Sequence, residues 1–453
     1  MTCHARVLTV VLAFASILIT DGAATAGPPR AATPRPAAGA PAARTGIYTF
    51  PAAANPSPAS APAGHTEAIY QAALQWFDRA EPMVDKLVPV AEQAAESLLS
   101  GGTLYVSGNG GFADEYDFRA GGFPFTEIWQ GQELEDDDVL LIGNFRPNEM
   151  ENPRARIDYV VRGYGRRFGG AMAVHLSGHD WPQISRSLPA VNSGHWHGRL
   201  HLVDTGAPEG AGIKELCIGQ FSATVLGWVL HGEIISAATR KGKTLATYAS
   251  DWEPGGRDWD ASVKGRHEHP KYKVPPIPAG KIGKQYLKTC RGQLAEFLAT
   301  QPGQVRLAGR RMAESMKKGG VVWAITDSHV LPRGAVVPAE LTRMKMFGRS
   351  YDWGYFSRST PKGDLLLWMG YLRYPRGTIE AAKRRGCDAV VVTVDKGPTD
   401  EHTTHVRSCW KDFDTVIDLP DYPIRVLPSS GVMHTVQWYA LMAETLAADK
   451  GPR

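Results

Sequence analysis

The residues best suited to chemistry lie in the segment 103–122, TLYVSGNGGFADEYDFRAGG. A β-forming run is followed by the glycine-rich turn Gly108–Gly111 and then by a helix-forming stretch. In such a turn the backbone N–H groups point at a ligand, and the dipole of the next helix favours negative charge. The segment therefore predicts a site that holds an anion or a polar ligand. A tight turn without a ligand is the alternative, because such turns are common after strands.

The same unit occurs twice in the chain of 453 residues. Residues 95–109 (AESLLSGGTLYVSGN) and 313–327 (AESMKKGGVVWAITD) match without a gap at Ala, Glu, Ser and both Gly. Each copy predicts a helix that ends at the glycine pair, a buried strand and a polar turn. Further along, Asp138–Gly143 corresponds to Asp364–Gly370, an acidic turn followed by an apolar strand and a glycine. We infer an internal duplication.

Strands alternate with helices in both copies, which is typical of parallel sheets with helices on both faces. We therefore predict an α/β protein with two tandem flavodoxin-like three-layer (αβα) lobes and parallel sheets. Closing helices are predicted over 222–238 and 433–448, and Val416–Pro420 is predicted as a short edge strand. The predicted domains are a signal peptide (1–26), an Ala/Pro-rich linker (27–64), lobe 1 (65–251), a connecting loop (252–282) and lobe 2 (283–450).

The N-terminus has the pattern of a secretory signal. Arg6 precedes the apolar run Val7–Ile19, and Ala24–Ala26 supplies the small residues that signal peptidase requires. We expect cleavage after Ala26 and a secreted or periplasmic protein. An uncleaved anchor is the alternative, although the apolar run is shorter than the 20 or so residues that span a membrane.

The run GNGGFADEYDFRAGG resembles the first phosphosugar loop of sugar isomerase (SIS) domains. It is most similar to an uncharacterised SIS family in which an acidic pair and an Arg-Ala-Gly-Gly motif follow the glycine-rich turn. Asp114, Glu115 and Arg119–Gly122 match that pattern, and Val203–Pro208 is similar to a later Asn-Gly-Ala-Pro segment. The resemblance covers about 65–260 well and 307–448 more weakly, and it implies tandem SIS lobes that bind a sugar derivative.

The resemblance implies ligand contacts in the turns that follow the strands of both lobes. One departure concerns Phe112, which stands where these loops usually carry a serine. A non-phosphorylated or amino sugar therefore stays open beside a phosphosugar. The predicted substrate-binding residues are Ser107, Gly108, Asn109, Gly110, Gly111, Arg119, Asn144, Arg146, Ser328 and Arg373.

An isomerase of this type moves a proton between adjacent carbons, so it needs a base, an acid and donors for the developing oxyanion. Related isomerases use a Glu near the loop and a His. By position, Glu115 is the first candidate for the base, Glu233 the second, and His329 the candidate for the acid. For each, a solvated or capping side chain is the alternative.

The sequence thus predicts an exported protein of SIS type that binds a sugar derivative, with aldose–ketose isomerisation by proton transfer as its reaction. A non-catalytic binder is one alternative, and a lyase or etherase acting on cell-wall amino sugars is another. The net charge of +4 without a Lys/Arg-rich run indicates no nucleic-acid partner. We expect a small-molecule partner, no membrane contact after cleavage, no cofactor, and a monomer or a homodimer.

Three side-chain groups leave alternatives open. His175, His179, His195, His197 and His201 could bind zinc, but they lack an acidic ligand at a metal spacing, so surface histidines are favoured and no metal is expected. Cys217, Cys290, Cys387 and Cys409 allow three disulfide pairings or four buried thiols. Trp252 and Trp259 either stack on a sugar ring or anchor the packing of a loop.

Overall fold

Two parallel β-sheets form the framework of the protein. We describe them from a computed structural model, in which the described residues are 45–51, 64–108, 111–144, 170–177, 199–206, 219–326, 337–348, 361–410 and 413–450. All of them belong to one compact unit. The predicted signal peptide and most of the predicted linker lie outside these residues.

The first sheet has six parallel strands, and the second has five. The strands of the first sheet are β1 (Thr45–Tyr48), β2 (Leu104–Gly108), β3 (Thr126–Ile128), β4 (Val139–Asn144), β5 (Met172–Ser177) and β6 (Arg199–Asp204). Those of the second are β7 (Val322–Thr326), β8 (Met344–Gly348), β9 (Leu365–Met369), β10 (Asp388–Thr393) and β11 (Thr403–Arg407).

Both sheets have the same strand order. The first runs β1-β6-β5-β4-β2-β3 and the second β11-β10-β9-β7-β8. If the strand that follows the glycine pair is numbered 1 in each lobe, the strands of both sheets lie in the order 2-1-3-4-5, which is the flavodoxin-like order. The first sheet has β1 as an additional edge strand. The strands β2 and β7 fill the matched positions of the sequence repeat. The prediction of two α/β lobes with parallel sheets is confirmed.

The helices pack between and around the two sheets. Helices α1 and α3 pack on each other and on α5, and α8 packs on α6 and α1. The closing helices α3 and α8 are both found, each a few residues longer than predicted. The helices are α1 (His65–Leu99), α2 (Phe112–Tyr116), α3 (Gly219–Arg240), α4 (Gly256–Val263), α5 (Lys281–Thr300), α6 (Pro302–Lys317), α7 (Arg376–Arg384) and α8 (Ser430–Lys450).

The second lobe has helices on both faces of its sheet. Alternate residues of a strand point to opposite faces, and Leu365 and Leu367 join the main core that includes α6 and α8. Leu366 and Trp368 instead join a separate cluster with Ile379 of α7. Because both faces are covered, β9 is buried along its whole length, as expected for a central parallel strand.

The structure differs from the prediction in three segments. The predicted edge strand Val416–Pro420 is wrong: Thr415–Ile417 (β12) pairs antiparallel with Val426–Pro428 (β13) in a ribbon outside the parallel sheets. The second sheet has β8 at one edge and β11 at the other, and the β11 sequence TTHVR has β-branched residues but no apolar run. Helix α4 lies within the predicted connecting loop, and β1 forms from four residues of the predicted linker.

Candidate functional site

The glycine-rich turn begins at the carboxyl end of β2. Ser107 is half-buried and Gly108 is exposed. Gly108 has φ +139°, and a Cβ there would lie 2.1 Å from the carbonyl oxygen of Gly143, so the position requires glycine. Gly111 is the residue before α2 and is buried. The predicted site residues Asn109, Gly110, Arg146, Ser328 and His329 and the side chain of Asn144 lie outside the described residues.

Phe112 covers the end of the neighbouring strand. Its ring is fully buried, and a Cβ on Gly143 of β4 would lie 2.2 Å from the ring. A phenyl ring thus packs against the backbone at the position where the SIS pattern places a hydroxyl. The side chain of Phe112 therefore contributes packing and offers a ligand no hydrogen bond of its own.

Arg119, one of the predicted binding residues, connects the two lobes. Its side chain is 2% exposed, and its Nη2 donates to Asp414 Oδ2 at 2.6 Å and to the hydroxyl of Ser430. Nη1 donates to the phenolic oxygen of Tyr371 at 3.4 Å. Arg119 belongs to lobe 1, whereas its three partners belong to lobe 2. The guanidinium therefore holds the lobes together through charge-assisted hydrogen bonds.

Asp414 is the main counter-ion of Arg119. Its Oδ1 accepts from the backbone N–H of Ser429 at 3.0 Å and also from the N–H of Ser430, so it caps the start of α8. Its Oδ2 accepts from the hydroxyls of Ser430 and Tyr371. Burial alone would lower the pKa of Arg119, but Asp414, Tyr371 and Glu115 together outweigh burial and raise it. Asp414 has φ +83°, a conformation that its dense hydrogen bonding offsets.

Glu115, the first candidate base, lies in α2, four residues before Arg119, and is completely buried. Its Oε1 accepts from Trp228 Nε1 at 3.0 Å and lies 3.6 Å from Arg119 Nε. Burial raises the pKa of Glu115 to about 7, while the charge of Arg119 opposes the rise. Its carboxyl group lies against Gly431 at the first turn of α8.

A cleft of about 480 Å³ opens at the junction of the lobes, beside Arg119. Lobe 1 supplies Phe118–Ala120, the segment after α3 supplies 248–252, α4 supplies residues 260 and 261, and Lys264 follows α4. Tyr371 of lobe 2 completes the lining. Arg119 and Tyr371 therefore belong to both the lobe junction and the wall of the cleft.

Aromatic side chains stand exposed in this cleft. Phe118 is 68% exposed and Trp252 is 46% exposed. Phe118, at φ +46°, stacks on Tyr248 with ring centroids 6.0 Å apart. The guanidinium of Arg373, another predicted binding residue, lies 5.4 Å from the ring centroid of Trp252. Exposed aromatic rings in a concave site are suited to binding an amphipathic ligand.

The two tryptophans of the connecting segment differ in their surroundings. Trp259 Nε1 donates to the carbonyl oxygen of Thr247 at 2.8 Å, and its ring contacts His269, Tyr272 and Tyr422. Trp259 therefore anchors the packing of the segment. Trp252, in contrast, is exposed in the cleft, where the ring of a ligand can stack on it.

The charges that line the cleft are mainly acidic, apart from Arg119, whose charge Asp414 balances. Asp251 and Asp260 face one lysine, Lys264. Burial raises the pKa of Asp260 to about 6, a hydrogen bond from the N–H of Ala249 opposes this, and Asp251 adds to the rise. The lining thus has more acceptors for a cation or hydroxyl than free cations for an anion.

Glu233, the second candidate base, has a structural role in this geometry. Its carboxylate accepts from the backbone N–H groups of Gly280 at 2.7 Å and Gly283 at 2.8 Å, and so caps the start of α5. Both oxygens are engaged away from the cleft. The neighbouring His231 is buried between Tyr116 and Phe123, and burial lowers its pKa to about 4.

The remaining side chains that the sequence left open lie in the core or outside the described residues. Cys290 and Cys387 are buried thiols, and Cys217 is not described. Of the histidines weighed as zinc ligands, His201 is buried with its Nδ1 3.1 Å from the hydroxyl of Tyr48. His179, His195 and His197 lie outside the described residues.

The fold and the site define a two-lobe α/β protein with a ligand-sized cleft at the lobe junction. No family model and no curated protein matches the sequence. Among solved structures, the chain is similar to the C-terminal domain of glucosamine-fructose-6-phosphate aminotransferase from Francisella tularensis. That match is 8% identical and covers 86% of this chain and 99% of the other, with a TM-score of 0.47.

Two Salmonella typhimurium proteins are also similar over most of the chain. A candidate sugar binding protein is 10% identical, with 83% of this chain and 99% of the other covered and a TM-score of 0.46. A candidate phosphosugar isomerase is 12% identical, with 81% and 93% covered and a TM-score of 0.43. The predicted structural similarity to SIS-type proteins is thus found. The strand order 2-1-3-4-5 that both sheets share defines the fold.

Sequence reasoning found Arg119 but missed its partners. Tyr371 lies in the second-lobe turn Gly370–Arg373, which the repeat singles out, so a signal for it existed. Asp414 and Ser430 are far from any repeated motif, and only the antiparallel ribbon brings them to the junction. No sequence pattern marks that placement.

Proposed function

We propose that the protein binds a sugar derivative in the cleft at the lobe junction. The observation that carries the proposal is the pair of exposed aromatic rings, Phe118 and Trp252, in a cleft of about 480 Å³ with Arg119 and Tyr371 in its wall. The C–H face of a sugar ring packs on an aromatic ring, and its hydroxyls exchange hydrogen bonds with charged and phenolic groups. The volume is within the usual range for small-molecule sites.

The charges in the described lining of the cleft favour a neutral or amino sugar over a phosphosugar. Asp414 neutralises Arg119, and Asp251 and Asp260 outnumber Lys264 in the lining.

Two arginines lie just outside this lining. Arg257 Nε is 3.8 Å from Asp251 Oδ2, and the guanidinium of Arg373 lies over the ring of Trp252. They reduce the repulsion of a phosphate group, but the charged groups that line the cleft are still mainly carboxyl groups. Glu115 lies behind Arg119 and outside the lining of the cleft, so the geometry supports binding rather than proton transfer by that carboxyl group.

Calorimetric titration with N-acetylglucosamine, glucosamine and glucosamine 6-phosphate tests this proposal. We expect the first two sugars to bind more tightly than the phosphate. Trp252→Ala should weaken binding about tenfold, because it removes the ring on which the sugar stacks. The matched control is Ile47→Ala, which removes an exposed apolar side chain of β1 that is not part of the cleft. Equal affinity in Trp252→Ala and the wild type, or no binding of any sugar, would contradict the proposal.

We also propose that the protein is exported, on the strength of the N-terminal pattern from Arg6 to Ala26. Intact-mass measurement of the protein expressed in a bacterial host should then give a chain that begins at Gly27. A full-length chain in the cytoplasmic fraction would contradict export.

A further inference from the structure

The carboxyl group of Glu115 is buried at the lobe junction. The whole side chain is inaccessible to solvent, and among the described residues its Oε2 has no hydrogen-bond partner. Oε1 accepts one hydrogen bond, from Trp228 Nε1 at 3.0 Å. A charged carboxylate in the interior normally has several donors, so the surroundings of Glu115 suit its neutral form.

The charges at the junction agree with this. One guanidinium, Arg119, faces two carboxyl groups, and Asp414 at 2.6 Å is the closer. Glu115 is 3.6 Å from Arg119 Nε. Asp414 also accepts hydrogen bonds from Ser429, Ser430 and Tyr371, whereas Glu115 accepts one from Trp228. A negative charge on Glu115 would be the second one shared by a single cation.

No other group packed around Glu115 supplies a positive charge in the described part of the chain. Tyr116 of the same helix and Tyr286 of α5 are buried phenols. Burial raises the pKa of both, and nearby groups, including Glu115, raise both further. Near Asp414 and Arg119, burial lowers the pKa of His434 to about 4, which keeps it neutral above that pH, and Cys290 is a buried thiol whose pKa burial raises.

We propose that Glu115 is uncharged in the assembled lobe junction, and that removing its proton weakens both the junction and ligand binding in the cleft. The link to the cleft is physical. Arg119, whose Nε lies 3.6 Å from Glu115 Oε1, lines the cleft, and the carboxyl group of Glu115 lies against Gly431 at the start of α8. This inference rests on the proposed function, because it names the regulation of that same site.

The direction of the pH dependence follows from linkage. Burial raises the pKa of Glu115 from 4.5 to about 7, so the folded protein binds this proton more tightly than the unfolded chain does. The stability it confers is complete below pH 4.5, declines as the pH rises towards 7, and is lost above that. Ligand binding that requires the neutral form weakens as the pH rises above 7, by about fivefold from pH 7 to 8 and by nearly tenfold for each further unit.

The experiment measures thermal unfolding and the affinity for N-acetylglucosamine, a probe that does not titrate, from pH 5.5 to 8.5. In the wild type, we expect Tm to fall between pH 5.5 and about 7, and Kd to rise about fivefold from pH 7 to 8. Glu115→Gln, which mimics the neutral acid, should bind with a nearly constant Kd. Asp260→Asn, which removes the titrating carboxyl of the cleft itself, should keep the rise above pH 7.

A second variant keeps the inference testable if Glu115→Gln does not fold. The hydrogen bond from Trp228 favours the charged form of Glu115, so Trp228→Phe should move the midpoint of the pH dependence to higher pH. A Glu115→Gln variant with the wild-type pH dependence would overturn the inference, as would an unmoved midpoint in Trp228→Phe. If no sugar binds, but the fall in Tm with pH is absent in Glu115→Gln, the proposed sugar binding is wrong and the neutral, buried carboxyl group of Glu115 is supported.

Discussion

The two lobes make the same contacts just before the first central strand of each sheet. A Cβ on Gly102 would lie 1.8 Å from the carbonyl oxygen of Asp137, and a Cβ on Gly320 would lie 2.4 Å from that of Gly363. In both lobes the next residue along donates its N–H to an aspartate: Thr103 to Asp138 at 2.8 Å, and Val321 to Asp364 at 2.9 Å. These contacts fix the register of the first two central strands, which explains why the glycine pair and the aspartate survive in both copies.

The lobes differ in the helices that lead into this shared unit. Lobe 1 has the single 35-residue helix α1, which contains Pro82 and Pro89. Lobe 2 has two helices, because α5 ends at Thr300 and Pro302 begins α6. Proline suits the first turn of a helix, where its missing N–H costs nothing. The lobes also contribute different parts of the junction: lobe 1 supplies Arg119 and its neighbouring acid, and lobe 2 supplies the hydroxyls and the counter-ion.

The comparison teaches that the duplicated framework and the site evolved under different constraints. What both lobes retain is backbone geometry that any parallel sheet of this order needs. What only one lobe has, Glu115 and Arg119, forms the junction and the wall of the cleft. The site is therefore a product of the difference between the lobes, and its energetics can be tested separately from those of the framework.

The largest effect is expected from Arg119→Met, which leaves the buried carboxylate of Asp414 without its cation. Breaking a buried pair from one side costs about 3–5 kcal/mol of the free energy of unfolding. Urea denaturation measures this. Replacing Asp414 with Asn in the Arg119→Met background removes the unpaired charge and should restore part of the loss, since Asn tolerates a positive φ.

The matched control for Arg119 is Arg291→Met. Arg291 Nε is 2.6 Å from Asp78 Oδ1, but both side chains are about half exposed. An exposed pair contributes about 0–1 kcal/mol. If the two arginine variants lost similar amounts of stability, the junction would not depend on a desolvated ion pair, and the contrast between framework and site would fail.

The fold was predictable because its signals are local. The glycine pair, the apolar runs of β2 and β7 and the long helices carry their pattern in consecutive residues. The edge strands β3 and β11 were not predicted, because they are short or polar and owe their structure to pairing with a central neighbour. Whether such a segment forms a strand depends on pairing with its neighbours more than on the β-propensity of its residues.

The site was only partly predictable, for a related reason. Arg119 and Arg373 stand in motifs that mark them, and Trp252 is an aromatic residue in a Pro/Gly-rich segment. Glu233 belongs to the same chemical class as Glu115, yet its carboxylate caps α5. Which carboxyl group lies at the junction depends on contacts between residues about 300 positions apart, such as Arg119 with Asp414, and no local pattern encodes that distance.

The smallest effects are expected from Asp138→Ala and Asp364→Ala, which test whether the lobes are as alike in energy as in geometry. Each aspartate accepts the N–H of the residue after the glycine pair and one further donor: the N–H of Glu135 for Asp138, and Trp323 Nε1 for Asp364. Each substitution leaves those partly buried donors unpaired, which costs about 1–3 kcal/mol. Urea unfolding should therefore give similar losses for the two variants. A loss confined to one lobe would show that only that copy still depends on the shared contact, since each substitution removes two hydrogen bonds.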